Sequence, residues 1–268
     1  MKNFSSNNVI VLIPTKNRPS LLERALKSVN DQKCLPSLIV VVNDSDEPYV
    51  KETQKVVESF KPELLIIEKI NDRTRSLSGA VNSGLEVIKK MIINVENYFI
   101  AFLDDDDWWD PTYIQECSKI ALDGNYDWII SGIVRYDKKN PNGWNMPIPN
   151  EITRSMIFIG NPNVQGSNLF LKLSLMVKIN GFDEYLISST DRDICIRLLE
   201  VTDIKIGYLN RHLVHHWAMD DYNRLSTAKT TLKEKGLQLF YQKYKSSMTE
   251  KEQVLFKERV RNYFLIDL

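Results

Sequence analysis

The sequence predicts an α/β protein: a Rossmann-like, mostly parallel sheet flanked by helices, with a helical C-terminal extension. Three observations point there. Apolar runs of strand length recur at Val9 to Pro14 (VIVLIP), Leu38 to Val42 (LIVVV), Leu64 to Glu68 and Tyr98 to Leu103 (YFIAFL), and continuous apolar runs suit strands buried on both faces. Amphipathic helical stretches separate them, giving a β-α-β-α-β-α-β order that implies parallel pairing. From Thr227 to Leu268 the chain reads as helical and mixed in charge, with lysine in excess.

The first strand stops at Pro14. Pro19 opens a helix to Asn30, because Leu21, Leu22, Ala25, Leu26 and Val29 share one helical face and proline suits a first helical position. The second strand ends in Asn43-Asp44-Ser45-Asp46, and a helix from Tyr49 to Phe60 follows. After the third strand a helix runs roughly from Ser76 to Met91, and the fourth strand stops at four aspartates. Pro111 then starts a helix to about Leu122, and Tyr126 to Val134 (YDWIISGIV) reads as a strand. Lys138 to Pro162, rich in Asn, Pro and Gly, is expected to include mobile loop. Strand and helix signals return over Ser167 to Lys178 and Asp191 to Glu200. The expected division is a large domain over 1–226, with halves at about 1–110 and 111–226, and the extension over 227–268.

Of 268 residues, 35 are Lys or Arg and 35 are Asp or Glu, a zero balance that leaves no electrostatic footprint for nucleic acid. Cys34, Cys117 and Cys195 are scattered and form no CxxC pair, so they read as reduced core thiols of a cytoplasmic protein. The leading apolar run is too short for a signal peptide, and no stretch reaches membrane-spanning length.

In a parallel α/β sheet, ligands sit beyond the carboxyl ends of the strands. Three polar tips belong there: Pro14-Thr15-Lys16-Asn17-Arg18, Asn43-Asp44-Ser45 and Asp104-Asp105-Asp106-Asp107. Adjacent carboxylates repel one another, and their hard oxygens suit Mg2+ or Mn2+. An isolated acidic run is usually a solvated loop. This one is fed by a buried strand and followed by Trp108, Trp109 and Pro111, which favours a metal site.

The ordered segments IPTKNR (Ile13 to Arg18), VVNDS (Val41 to Ser45), AVNSGL (Ala80 to Leu85), FLDDDD (Phe102 to Asp107) and NGFDE (Asn180 to Glu184) followed by STDRDICIRL (Ser188 to Leu198) resemble the family 2 glycosyltransferases of the GT-A fold over roughly residues 8–217. That resemblance implies an inverting transferase that moves a sugar from a nucleotide-sugar, a UDP-sugar above all, to a glycan or lipid-linked glycan hydroxyl, with Mn2+ or Mg2+ bound. It implies nucleotide contacts from Pro14, Thr15, Asn17, Arg18, Asp44, Asn82, Asp104 and Asp105. Asp106 corresponds to the direct metal ligand. Asp107 is left either to hold a water or to cap the helix at Pro111. Asp191 matches the catalytic base, with Asp193 its neighbouring rival and a plain helix N-cap the bland alternative.

Relatives carry an arginine where this chain has Val81, and Arg73 or Arg75 is expected to replace it. Gln165, Gly166 and Ser167 fall in the stretch that shapes the acceptor side in relatives, with Trp108 beside it. A late histidine often completes the metal shell, so His215 and His216 are both metal candidates, one at most on strand geometry. The lysines and aromatics of the extension (Lys233, Lys235, Lys243, Lys245, Phe240, Tyr241, Tyr244) suit either packing on the domain or peripheral association with the inner face of a membrane. A metal-dependent nucleotidyltransferase would also use clustered aspartates, but the chain has no GxxxxGK or GxGxxG loop to cradle phosphates. An inactive glycan-binding relative would have lost the carboxylates, which are intact.

Overall fold

The computed structural model describes residues 8–219 and 231–268. Its elements in chain order are β1 (Val9–Thr15), α1 (Pro19–Asn30), β2 (Leu38–Asn43), α2 (Tyr49–Phe60), β3 (Ile66–Ile70), α3 (Leu77–Met91), β4 (Phe99–Phe102), β5 (Trp108–Trp109), α4 (Tyr113–Asp123), β6 (Trp128–Asp137), β7 (Asn140–Asn145), α5 (Arg154–Ile159), β8 (Leu169–Lys172), α6 (Leu173–Lys178), α7 (Thr190–Leu199), β9 (Ile206–Trp217), α8 (Thr231–Tyr244) and α9 (Glu250–Phe264).

One sheet runs β3-β2-β1-β4-β8-β6-β9-β5, with β7 hairpinned onto β6. Its first half is parallel, as the sequence predicts: β1 lies between β2 and β4, and β2 pairs with β3. Beyond β4 the sheet turns mixed, because β8 enters antiparallel to both β4 and β6. Alternation along β1 and β2 feeds two cores. Ile10, Leu12, Val40 and Val42 pack with α3, α7, α8 and α9 on one face. Val9, Val11, Ile13, Ile39 and Val41 pack with α1, α2 and α4 on the other.

The stretch from Lys138 to Pro162, expected to include loop, also contains two elements that the sequence analysis does not name, β7 and α5. Asp137 Oδ1 accepts the amides of Lys139 and Asn140 and the Asn140 side chain, which makes the reversal a tight Asx-type turn. Thr153 then caps α5 through the amide of Met156. The C-terminal helices pack on the sheet: Leu237 and Phe240 of α8 and Phe256 and Val260 of α9 share one core with β1, β2, α3 and α7. Lys233, Phe240 and Tyr244 are buried there, while Lys235 and Lys245 face solvent. Among the described residues, no helix is long and apolar enough to cross a membrane.

Candidate active site

Because β1, β2 and β4 are parallel neighbours, their C-terminal tips line one edge of the sheet. Thr15 Oγ1 donates to Asp105 Oδ2 at 2.7 Å. The guanidinium of Arg18 spans two carboxylates, with Nε 3.2 Å from Asp105 Oδ2 and Nη1 3.0 Å from Asp106 Oδ2. Burial alone would lower the pKa of Arg18, but Asp105, Asp106 and Asp104 together raise it. Burial lifts Asp105 to about 6 against the pull of Arg18. Asp104 is pushed well above the carboxylate range, first by burial and then by the charges of Asp107, Asp106, Asp191 and Asp105.

Oxygens of Asp104, Asp106 and Asp107 lie within 4.8 Å of one another. This crowded, oxygen-only set holds more negative charge than Arg18 neutralises, and a divalent hard cation fits it. Asp107 is the member most committed to protein. Ser167 Oγ donates to its Oδ2 at 2.6 Å, the amide of Trp217 donates to Oδ1 at 3.0 Å, and His216 Nδ1 lies 3.1 Å from Oδ1. Burial works to raise its pKa, yet the charge of His216 and these hydrogen bonds hold it below the usual value. Asp107 does not cap the next helix. The N-cap of that helix is Thr112, which makes no side-chain cap bond. Asp110 accepts the Thr112 amide at 2.9 Å in the turn before the helix, and Gln32 Oε1 accepts the first-turn amide of Ile114 at 3.0 Å.

The segment before β8 closes over this tip. Ser167 Oγ accepts the Asp104 amide at 3.1 Å, and Trp109 Nε1 donates to the Ser167 carbonyl at 2.8 Å. A Cβ on Gly166 would sit 3.2 Å from Asp104 Oδ1, tighter than side chains usually pack, so a larger residue here would press on that carboxylate. Gln165 and Asn168 cap each other at the start of the same turn.

Asp191 lies in the first turn of α7, and the N-cap of that helix is Ser189, in the left-handed region at φ 62°. The carboxylate of Asp191 is raised to about 6, chiefly by burial; Lys233, His216 and a hydrogen bond from the Gly166 amide lower it, and Asp107 raises it. Those influences place Asp191 among the residues around β4. Asp193 is differently committed: Arg197 holds its Oδ2 through Nε at 2.8 Å and Nη2 at 2.7 Å, while Tyr244 Oη donates to its Oδ1 at 2.5 Å beside Lys243.

At the β2 tip, Asp44 accepts from Asn71 Nδ2 at 2.8 Å and pairs with Lys16 at 3.4 Å and Arg75 at 3.5 Å. Arg75 also donates to the Asp44 carbonyl at 2.8 Å and pairs with Asp46 at 2.7 Å. Asn17, at φ 57°, joins the β1 tip to this one, its amide donating to Ser45 Oγ at 2.9 Å and its Oδ1 accepting the Asp46 amide at 2.7 Å. Pro14 sits in register with Val42 within the β1–β2 pair.

Arg73 and Asn82 are employed elsewhere, both gripping Glu184 of the NGFDE loop, at 2.6 and 2.8 Å. Asn82 also donates to the Phe182 carbonyl and accepts the Phe182 amide, each at 2.8 Å. Burial alone would raise the pKa of Glu184, but Asn82, Thr74 and Arg73 bring it to about 2.

The two histidines separate, as strand alternation requires. His216 faces Asp107. His215 stacks on Trp108 with centroids 5.0 Å apart, and its Nδ1 lies 2.9 Å from Tyr136 Oη, so it belongs to an aromatic group with Trp108, Tyr136 and Trp217. Three further residues enter the site unannounced by the sequence. Arg24 lies over Trp108 at 4.4 Å and donates to the Asp106 carbonyl at 2.5 Å. Lys233 and Tyr244 arrive on α8, and only the aromatic cluster around Tyr244 gives a sequence signal of burial.

A mixed sheet with acidic tips at its strand ends and a carboxylate-bearing helix opposite them is the GT-A fold. Glycosyl transferase family 2 matches residues 10–179, well over half the chain, and the chain belongs to that family. An uncharacterized glycosyltransferase of Rickettsia typhi is 22% identical over 274 residues, covering 100% of this chain and 80% of its own length. Glycosyltransferase GlyA of Streptococcus pneumoniae is 28% identical over 121 residues, which are 45% of this chain and only 16% of GlyA. Among solved structures, S. aureus TarS 1-349 in complex with UDP-GlcNAc superposes with a TM-score of 0.67 at 16% identity, covering 97% of this chain and 73% of TarS 1-349. A mannosyltransferase from Pyrobaculum calidifontis, in complex with GDP-Man and Mn2+, does so with a TM-score of 0.60 at 14% identity, covering 94% and 69%.

Proposed function

We propose that the chain is an inverting, metal-dependent glycosyltransferase that moves a sugar from a UDP-sugar to a hydroxyl of a glycan or lipid-linked glycan. The observation that carries this reading is Asp191, a carboxylate of pKa about 6 among the groups that surround the Asp104–Asp107 tip. A base with a pKa near the working pH is ionised when needed and still accepts a proton. The solved GT-A relatives that hold UDP-GlcNAc, or GDP-Man with Mn2+, support a nucleotide-sugar and a divalent ion at this edge of the sheet.

Asp104 and Asp106 would hold the ion, with Asp107 braced behind them by Ser167, His216 and Trp217. When bound, the ion neutralises the charge that develops on the departing diphosphate. Asp44, at the β2 tip, receives the base of the nucleotide, and Asn17 and Arg75 frame it there. The acceptor enters from the Gln165–Ser167 side. Asp191 removes its hydroxyl proton as the oxygen bonds to the anomeric carbon, the bond from that carbon to the diphosphate oxygen breaks, and the configuration inverts. Asp193 is the weaker candidate for the base, since Arg197, Tyr244 and Lys243 occupy its oxygens.

Calorimetric titration with UDP, GDP and dTDP, with and without Mn2+, tests the donor half of this proposal. The expectation is Mn2+-dependent binding with UDP tightest. Binding indifferent to Mn2+, or a preference for GDP or dTDP, would overturn that half.

A further inference from the structure

One face of α8 follows the start of α7 residue by residue. Lys233, Gly236, Phe240 and Tyr244 are spaced by three, four and four, so they form one stripe of the helix. The charge of Lys233 acts on Asp191. A Cβ on Gly236 would lie 2.1 Å from Ser188 Oγ and 3.0 Å from the Ser188 nitrogen, so α8 meets the turn that leads into α7 with no room for a side chain between them. The buried guanidinium of Arg192 sits 4.1 Å over the ring of Phe240 and donates to the carbonyls of Ile157 and Phe158 at 2.9 and 2.6 Å. Tyr244 Oη donates to Asp193 at 2.5 Å. Ser188, Asp191, Arg192 and Asp193 therefore each answer to a residue of this stripe.

The turn needs such support. Ser189 is left-handed at φ 62°, and no side chain caps the helix it begins. An uncapped helix start that follows a strained residue has little intrinsic stability. Asp193 and Arg192 spend their polar atoms on contacts that fix the turn, and Asp191 is left to face the acidic tip.

We infer that Tyr244 and Gly236 are positioning residues: through Asp193 and Ser188, α8 splints the first turn of α7 and so sets where the Asp191 carboxylate points. This inference rests on the proposed role of Asp191. It gives the C-terminal helices a part in transfer chemistry that no residue of theirs performs directly.

The test is a double-mutant cycle on kcat for nucleotide-sugar turnover, joined to hydrogen exchange. Tyr244→Phe removes one oxygen and leaves Arg197 and Lys243 on Asp193, so it reads the contact even where Gly236→Ala unfolds the chain. Each variant is expected to lower kcat about tenfold, as small displacements of a catalytic group do, with the Kd for UDP and Mn2+ unchanged. Exchange of the Asp193 amide, which bonds to the Ser189 carbonyl, is expected to quicken. In an Asp191→Asn background, neither substitution should lower kcat further, because both act through Asp191. Losses that add to that of Asp191→Asn, or wild-type kcat together with wild-type exchange in Tyr244→Phe, overturn the inference. An Asp191→Asn variant as active as wild type refutes the proposed function instead, and the exchange rates then still decide whether α8 holds the turn.

Discussion

Lys233→Met isolates the charge that α8 brings to Asp191. With Asp191 at about 6, the ionised fraction rises from about one tenth at pH 5 to about nine tenths at pH 7, and kcat follows it as an acid limb. Lys233 favours the charged carboxylate, so its removal moves that limb to higher pH, by about one unit for a close partner lost from a buried site. At pH 6.5 the ionised fraction then falls from about three quarters to about one quarter, a loss of about threefold in kcat, and the plateau above about pH 8 is unchanged.

Unfolding does not mimic this result. The folded pKa of Lys233 is lowered from 10.5 to about 8, by burial first and then by Arg192, against the opposite pull of Asp191. Keeping this lysine charged in the fold therefore costs stability below about pH 8, and methionine relieves that cost. The assay is kcat against pH at saturating donor, with thermal melts at each pH. An acid limb that stays in place or moves to lower pH refutes the electrostatic link between α8 and the base.

Other perturbations reach the rest of the site. Asp44→Ala should weaken UDP binding by about 1–3 kcal/mol in calorimetry, the cost of a lost charge-assisted partner, whereas unchanged affinity removes Asp44 from the nucleotide site. Asp106→Ala should abolish Mn2+-dependent UDP binding, and excess chelator should do the same to the wild type. Glu184→Gln should cost about 1–3 kcal/mol in denaturant melts at pH 7. The depressed pKa of Glu184 gives stability that is complete above the unfolded value of about 4.5 and is lost as pH falls toward about 2, so wild type and variant should converge in acid. Equal stability at neutral pH would show that the clasp of Arg73, Asn82 and Glu184 contributes nothing.

Much of this fold is legible in the sequence because its first half is built by local rules. The apolar face and Pro19 bound α1 at Pro19–Asn30, and α2 spans Tyr49–Phe60 as its pattern predicts. The second half follows long-range pairing. Nothing local marks Trp108–Trp109 as a strand, because its partner is β9, near the end of the sheet. The β6–β7 hairpin hides in a polar run because Asp137 supplies the turn through side-chain oxygens rather than through a glycine. The motifs around Thr15, Asp44 and Asp104 stand out because strand tips must carry the polar chemistry, and Asp191 stands out through the resemblance of its segment at the start of α7. Arg24, Lys233 and Tyr244 do not, since an arginine in α1 or a lysine in a charged helix looks like solvent-facing charge until tertiary packing turns it inward. Arg73 and Asn82 show the reverse case, site-like in the sequence and committed to Glu184 in the fold.

The most direct measurement is single-turnover transfer by wild type and Asp191→Asn, using a panel of UDP-sugars and glycan acceptors, with NMR of the new glycosidic bond. The wild type should form a linkage of anomeric configuration opposite to that of the donor. Asp191→Asn should bind UDP and Mn2+ with the same Kd and form product about 100- to 10,000-fold more slowly, the range expected when a general base is lost. A product that keeps the donor's configuration, or an Asp191→Asn variant that transfers as fast as wild type, would contradict the account.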